Sequence, residues 1–217
     1  MKNILIVGSS GMIGGIILRE CLQSDEVGKV ISLVRKQSGI KHEKLVERIH
    51  ADYSDYAAVS SLFHKVDVAF FCIGVYTGQV KDTEFKKITV DFAKSFADFL
   101  IKYSPDATLC FLSGQGADLK EKSRMSFARY KGMAENYLMK KGFQALYIFR
   151  PAYIYPVNPR KEPNFSYRMM RALYPLMKKL APSTAITSET LGKAMFNAGL
   201  HGAEKMTLEN QDIKSIV

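Results

Sequence analysis

The sequence has 217 residues, 47% hydrophobic and 24% charged, with 15 glycines and 7 prolines. That composition excludes collagen-like, low-complexity and disordered chains, and the length suits one domain with a full core. The net charge of +10 is uneven: residues 1–108 sum to +1 and 109–217 to +9, with +11 concentrated in 119–180.

Short apolar runs alternate with amphipathic stretches as far as Pro151, the pattern of parallel α/β winding. The spacing predicts strands at 3–7, 29–34, 45–50, 67–73, 107–112 and 144–149, with helices near 12–23, 55–63, 82–102 and 124–141. The helix over 82–102 has the plainest period: Phe85, Ile88, Phe92, Phe96 and Phe99 recur every three or four residues as an apolar stripe, which reads as a face packed on the sheet. Beyond Pro151, the residues Pro156, Pro159 and Pro163 break the chain before an apolar and basic helix at 165–180, and short elements follow near 187–200 and 205–217. A small C-terminal lobe over 152–217, packed at the strand ends of a core formed by 1–151, is expected within a single domain. No apolar run approaches the ~20 residues needed to cross a bilayer. The chain opens on a strand-like segment without a signal-peptide pattern, which predicts a cytoplasmic address. Cys21, Cys72 and Cys110 lie far apart among apolar neighbours and read as reduced core thiols; no His, Cys, Asp or Glu set has metal-ligand spacing.

The first predicted strand runs into Gly8-Ser9-Ser10-Gly11-Met12-Ile13-Gly14 and then an apolar helix. Glycine at 8 permits a sharp exit from the strand, at 11 it lets backbone N–H groups approach a pyrophosphate, and at 14 it lets helix and strand pack closely. The helix N-terminus, with its unpaired amides, then faces the phosphates. In this strand-to-helix setting the loop predicts a dinucleotide cofactor held by Gly8, Ser10, Gly11, Met12, Ile13 and Gly14. An acidic residue would bind the ribose 2′-hydroxyl of NAD at the end of the second strand. Arg35 and Lys36 stand there instead and suit a 2′-phosphate, so NADP(H) is preferred over NAD. Asp52 and Tyr53 follow the third strand, where they meet the adenine edge, and Ile73-Gly74 ends the fourth, where a residue without a side chain lets the cofactor backbone pass. Tyr76 and Thr77 lie just beyond, as pocket wall or as loop.

These segments together resemble the atypical branch of the short-chain dehydrogenase/reductases, with an epimerase-like NAD(P)-binding fold: GSSGMIGG, VRK, FFCIGVYTG, FLSGQGAD and FRPAYIY. The ending, ETLGKAMFNAGL with LENQDI, is similar to the Tat-interacting oxidoreductase-like subgroup. The resemblance implies a Rossmann-type, doubly wound, mostly parallel α/β sheet, with Pro151 beside the nicotinamide. It also implies a catalytic set of Ser, Tyr and Lys, in which the Tyr hydroxyl exchanges a proton with the substrate oxygen, the Lys lowers the Tyr pKa and holds the ribose, and the Ser orients the substrate. Ser113 and Lys131 match the first and last positions, whereas Phe127 stands where the Tyr is expected. Tyr130 is adjacent to Lys131, and adjacent helix residues point about 100° apart, so it shares that face only if the helix register shifts. Three readings follow: an enzyme with another donor, such as Tyr153, Tyr76 or a water held by Ser113; a cofactor-binding sensor or partner protein without proton-transfer chemistry; or a shifted helix that makes Tyr130 catalytic.

The basic 119–180 region, with Lys120, Arg129, Arg160 and Lys179, reads either as a surface that meets something anionic or as a solvated face. A small-molecule, anionic substrate or a protein partner fits it. Nucleic acid does not, because no finger, RNP-like sequence or long basic helix accompanies the charge.

Overall fold

The computed structural model describes residues 1–76, 78–158 and 165–217. β1 (Lys2–Val7), β2 (Val27–Val34), β3 (Leu45–Ile49), β4 (Val68–Phe71), β5 (Thr108–Leu112) and β6 (Ala145–Arg150) form where strands were expected. β7 (Tyr153–Tyr155) and β8 (Ala185–Thr187) make a separate parallel pair, and β9 (Thr207–Glu209) returns to the main sheet. That sheet has the order β3-β2-β1-β4-β5-β6-β9, every neighbouring pair parallel. The winding departs in opposite directions from β1, as in a Rossmann fold, and opens a crevice at the carboxyl ends of β1 and β4.

The helices are α1 (Met12–Gln23), α2 (Asp82–Lys86), α3 (Phe92–Tyr103), α4 (Ser126–Lys140), α5 (Phe165–Leu180), α6 (Ser188–His201) and α7 (Asn210–Ser215). Both faces of the sheet's centre are covered, which is why β1, β4 and β5 read as apolar runs. Ile4, Ile6, Val68, Phe70 and Cys110 face α1 and α6 through Ile13, Ile17, Leu191 and Met195. Leu5, Val7, Phe71, Leu109 and Phe111 face the other way, onto Phe63, Phe96, Leu100 and Leu138. The aromatic stripe of 85–99 belongs to core packing, with Phe96 1% exposed and Phe85 3%.

Two expectations change in form. The stretch near 55–63 is two short 3-10 turns over Ala57–Phe63, kinked at Val59, and the helix over 82–102 is continuous but carries a π turn, Lys87–Asp91, between α2 and α3. The segment after Pro151 divides between two places. β9 pairs with β6 as a seventh strand and α6 covers the α1 face of the sheet, while β7, β8 and α5 gather outside it. Asn210, 2% exposed, ties these parts together: its Oδ1 accepts from the Ala152 N–H at 3.1 Å and its Nδ2 donates to the Ser183 carbonyl at 2.8 Å.

Candidate active site

The glycine loop leaves β1 through Gly8 at φ +91°, a conformation that L side chains avoid. A Cβ there would also lie 2.8 Å from the Cys72 backbone, and one at Gly14 would lie 2.2 Å from the Gly8 carbonyl oxygen. Both positions therefore exclude a side chain. The Gly11 N–H donates to the Gly8 carbonyl at 2.9 Å, closing the turn, and Ser9 Oγ shares a 2.6 Å hydrogen bond with Ser32 Oγ, fixing the loop to β2. α1 then begins without a side-chain cap and without an acidic residue in its first turn. Its positive end is left for an anion.

Beside this loop lies a cleft of about 360 Å³, lined by Gly11, Met12, Ile13, Cys72, Ile73, Gly74, Val75, Tyr76, Leu112, Ser113, Gly114, Phe127, Lys131, Pro151, Ala152, Tyr153 and Ile154. A Cβ at Gly74 would meet no protein atom within 4 Å, so the space it would fill is the cleft. The expected Ser113, Lys131, Ile73, Gly74 and Pro151 thus stand around one opening with Gly11, Met12 and Ile13. Ser10 is exposed and borders a neighbouring depression with Arg19, Val34 and Ser38. Arg35 and Lys36 are exposed at the end of β2, and neither makes an ion pair or hydrogen bond among the described residues. Asp52 is exposed nearby; hydrogen bonds from the Ser54 hydroxyl and N–H hold its carboxyl below the usual range.

Lys131 is 8% exposed, donates to the Leu112 carbonyl at 3.0 Å and lies over the Phe111 ring. Burial pushes its pKa down to about 8, against the opposing pull of Glu135. Lysine-selective NMR, assigned with Lys131→Met, is therefore expected to show one ammonium titrating near about 8; a Lys131 signal that stays charged beyond 10 would contradict the burial. Ser113 is 7% exposed, and its hydroxyl donates to the carboxylate of Glu135, which is fully buried. Glu135 is in turn clasped by Arg150, whose Nε lies 3.1 Å from both carboxylate oxygens, and Arg150 reaches Glu209 of β9 at 3.0 Å. Ser113 therefore spends its proton inward and turns its lone pairs to the cleft.

Two of the predicted site residues, Tyr130 and Tyr53, are buried among other side chains instead. Tyr130 does not line the cleft: it packs its ring on Phe85, in a cluster that Phe127 and Val75 of the cleft wall also join, and donates its hydroxyl to Asp82 Oδ2 at 2.6 Å. The helix register is unshifted, so Phe127 and Lys131 share the cleft face one turn apart. Tyr53 is 6% exposed, packed with His50 and Phe92, and its hydroxyl donates to the Leu33 carbonyl at 3.2 Å. It serves the core because the chain after β3 must close the α3 side of the sheet. Thr77 and Arg160 lie outside the described residues. Sequence reasoning passed over Glu135; its one signal was the four-residue step from Lys131, which puts both on one helical face.

A family model described as the NAD dependent epimerase/dehydratase family matches residues 4–141. The chain belongs to that family. The protein fmp52, mitochondrial, of Emericella nidulans is 26% identical over 216 residues, spanning 92% of this chain and 88% of that protein. Protein HTATIP2 of Rattus norvegicus is 25% identical over 199 residues, spanning 90% and 80%. Among solved structures, Gre2 of Candida albicans in complex with NADPH superposes with a TM-score of 0.73 at 13% identity, covering 96% of this chain and 77% of that one. WbmH of Bordetella bronchiseptica in complex with NAD+ gives 0.70 at 16%, covering 96% and 74%. At these identities the likeness is one of fold, and it agrees with the strand order. Within this epimerase/dehydratase chain, the uncapped α1 terminus, the side-chain-free passage at Gly8 and Gly74 and the unpaired cations after β2 fit a nicotinamide dinucleotide.

Proposed function

We propose that this family member is an NADP(H)-binding oxidoreductase for a small hydroxyl or carbonyl compound, with slow turnover because Phe127 offers no proton. The observation that carries the reading is the convergence of the glycine loop, Ser113 and Lys131 on one cleft that the Phe127 ring also lines. A nicotinamide dinucleotide, when bound, supplies hydride or accepts it. The chain's own groups do the rest. Gly8 to Gly14 and the start of α1 receive the pyrophosphate, Arg35 and Lys36 receive a 2′-phosphate, and Lys131 bonds ribose hydroxyls. Ser113, its proton given to Glu135, accepts a hydrogen bond from a substrate hydroxyl and orients it. Lys131, with its pKa near 8, is the cleft group that exchanges a proton near neutral pH. Phe127, Val75 and Ile154 supply apolar walls that exclude water. Lys131 is the one cation among the described lining residues. The cleft therefore suits a small substrate without a large negative charge, and the basic 119–180 segment looks elsewhere for its partner.

A second reading, a cofactor-binding sensor without turnover, is favoured by the same Phe127. Fluorescence titration with NADPH and NADH tests what both readings share. NADPH is expected to bind about tenfold or more tightly than NADH, since a charge-assisted bond to phosphate contributes roughly 1.5–3 kcal/mol. Arg35→Ala should remove most of that preference and leave NADH unchanged. Equal affinities in the parent protein would defeat the NADP(H) assignment. Turnover over a panel of carbonyl compounds then separates enzyme from sensor.

A further inference from the structure

α5 spans sixteen residues, and its main contacts are with β7, β8 and the turn at 182–184. The ring of Tyr174 stacks on Tyr155 at 3.8 Å, and Met170 and Met177 are half-buried, so this side is seated on the body of the protein. An adjoining side, about a quarter-turn round from it, carries Met169, Leu173 and Leu180, exposed by 48%, 43% and 70%. At about 100° per residue these three fall within roughly 40° of one another, a single apolar row along the axis. Arg168 and Lys179, both exposed, form a second row about a quarter-turn away. From 163 to 188 the sequence holds four cations and no Asp or Glu.

An exposed apolar row beside a cationic row, on a helix seated by its third side, matches a surface that is apolar inside and anionic at its edge. We infer that α5 is a membrane-surface helix that lies flat on bilayers containing anionic lipid, with Met169, Leu173 and Leu180 in the acyl boundary and Arg168 and Lys179 at the phosphates. At sixteen residues it reaches about 24 Å, short of the ~30 Å hydrocarbon core, so it lies on the bilayer and does not cross it. Among the described residues no helix is long and apolar enough to span. A second copy of the chain is a poorer occupant, because pairing the two apolar rows brings Arg168 and Lys179 towards their own counterparts. The inference accounts for cations of the 119–180 segment that do not border the cleft, and it does not depend on the cofactor or the substrate.

The test is cosedimentation of the full chain with vesicles of phosphatidylcholine alone or mixed with phosphatidylserine, at low and physiological salt. Binding is expected to the mixed vesicles and to be at least about tenfold weaker to phosphatidylcholine alone, since each cation near an anionic surface adds attraction that salt screens. Arg168→Glu with Lys179→Glu should lower binding by a further tenfold or more. Met169→Ser with Leu173→Ser and Leu180→Ser should lower it comparably and remove the part that survives added salt. Lys41→Glu with Lys102→Glu makes the same change of net charge at two other exposed positions and should alter binding by less than about threefold. The substituted side chains are exposed, so unchanged thermal unfolding is expected and confirms that each variant is folded. The inference is overturned if the control pair weakens binding as much as the α5 pair, since net charge alone would then explain it. It is also overturned if the parent ignores anionic vesicles, or if it proves to be a dimer that the apolar variant dissociates.

Discussion

Phe127→Tyr is expected to raise NADPH-dependent carbonyl reduction by about 10²–10⁴-fold, the range that a positioned general acid contributes. Phe127 and Lys131 share the cleft face of α4, and the added hydroxyl would enter beside Ser113 and within the influence of the Lys131 ammonium. The fit is close. A Cβ built on Gly114 would lie 2.6 Å from Phe127 Cζ and 3.4 and 3.6 Å from the two Cε atoms, so the ring points its long axis at Gly114. The new oxygen extends along that axis towards Gly114, so the ring must draw back to admit it. Nucleotide affinity is expected to stay within about threefold of the parent, which separates a gain in chemistry from a gain in binding. Tyr130→Phe should leave turnover unchanged, because its hydroxyl is committed to Asp82. Steady-state consumption of NADPH by the three proteins, with the same carbonyl panel, decides the matter. A parent enzyme of ordinary rate that Phe127→Tyr does not improve would show that another group already donates the proton.

Glu135→Leu is expected to destabilise the protein by about 3–5 kcal/mol, as removal of one partner from a buried ion pair does. Glu135 is fully buried, and the substitution leaves the Arg150 guanidinium, 14% exposed, with Glu209 as its remaining carboxylate, on a side chain 47% exposed. It also leaves the Ser113 hydroxyl without its acceptor. Glu135→Leu combined with Arg150→Met should recover most of the loss, since an apolar pair of similar volume removes both desolvation penalties. Urea unfolding of the single and double variants measures both effects. A single variant that loses less than about 1 kcal/mol would mean that the pair is solvated and that Ser113 is not held by it. The two experiments address one site from two sides: Phe127 determines what the cleft lacks, and Glu135 determines how Ser113 is presented to it.

The sequence by itself determined the winding of the sheet and the place of the cofactor loop, because both rest on local chemistry. A strand buried on both faces is an apolar run wherever it occurs, and a phosphate turn requires glycine at Gly8 and Gly14 because no side chain fits there. The cations after β2 and the absent hydroxyl at Phe127 were equally legible, since each is a residue type at a fixed distance from a motif. Tertiary structure decided the rest. Tyr130 and Tyr53 looked available in sequence, yet hydrogen bonds to Asp82 and Leu33, 48 and 20 residues away, turn their hydroxyls from the cleft. Glu135 drew no reading in sequence, and only the return of Arg150 on β6 and Glu209 on β9 makes it the buried partner of Ser113. β9 itself is three residues long, too short to carry a period, and pairs with β6 through contacts that only the folded chain provides. Local patterns fix what a segment is, but which side chains face one another depends on partners that the linear sequence separates by tens of residues.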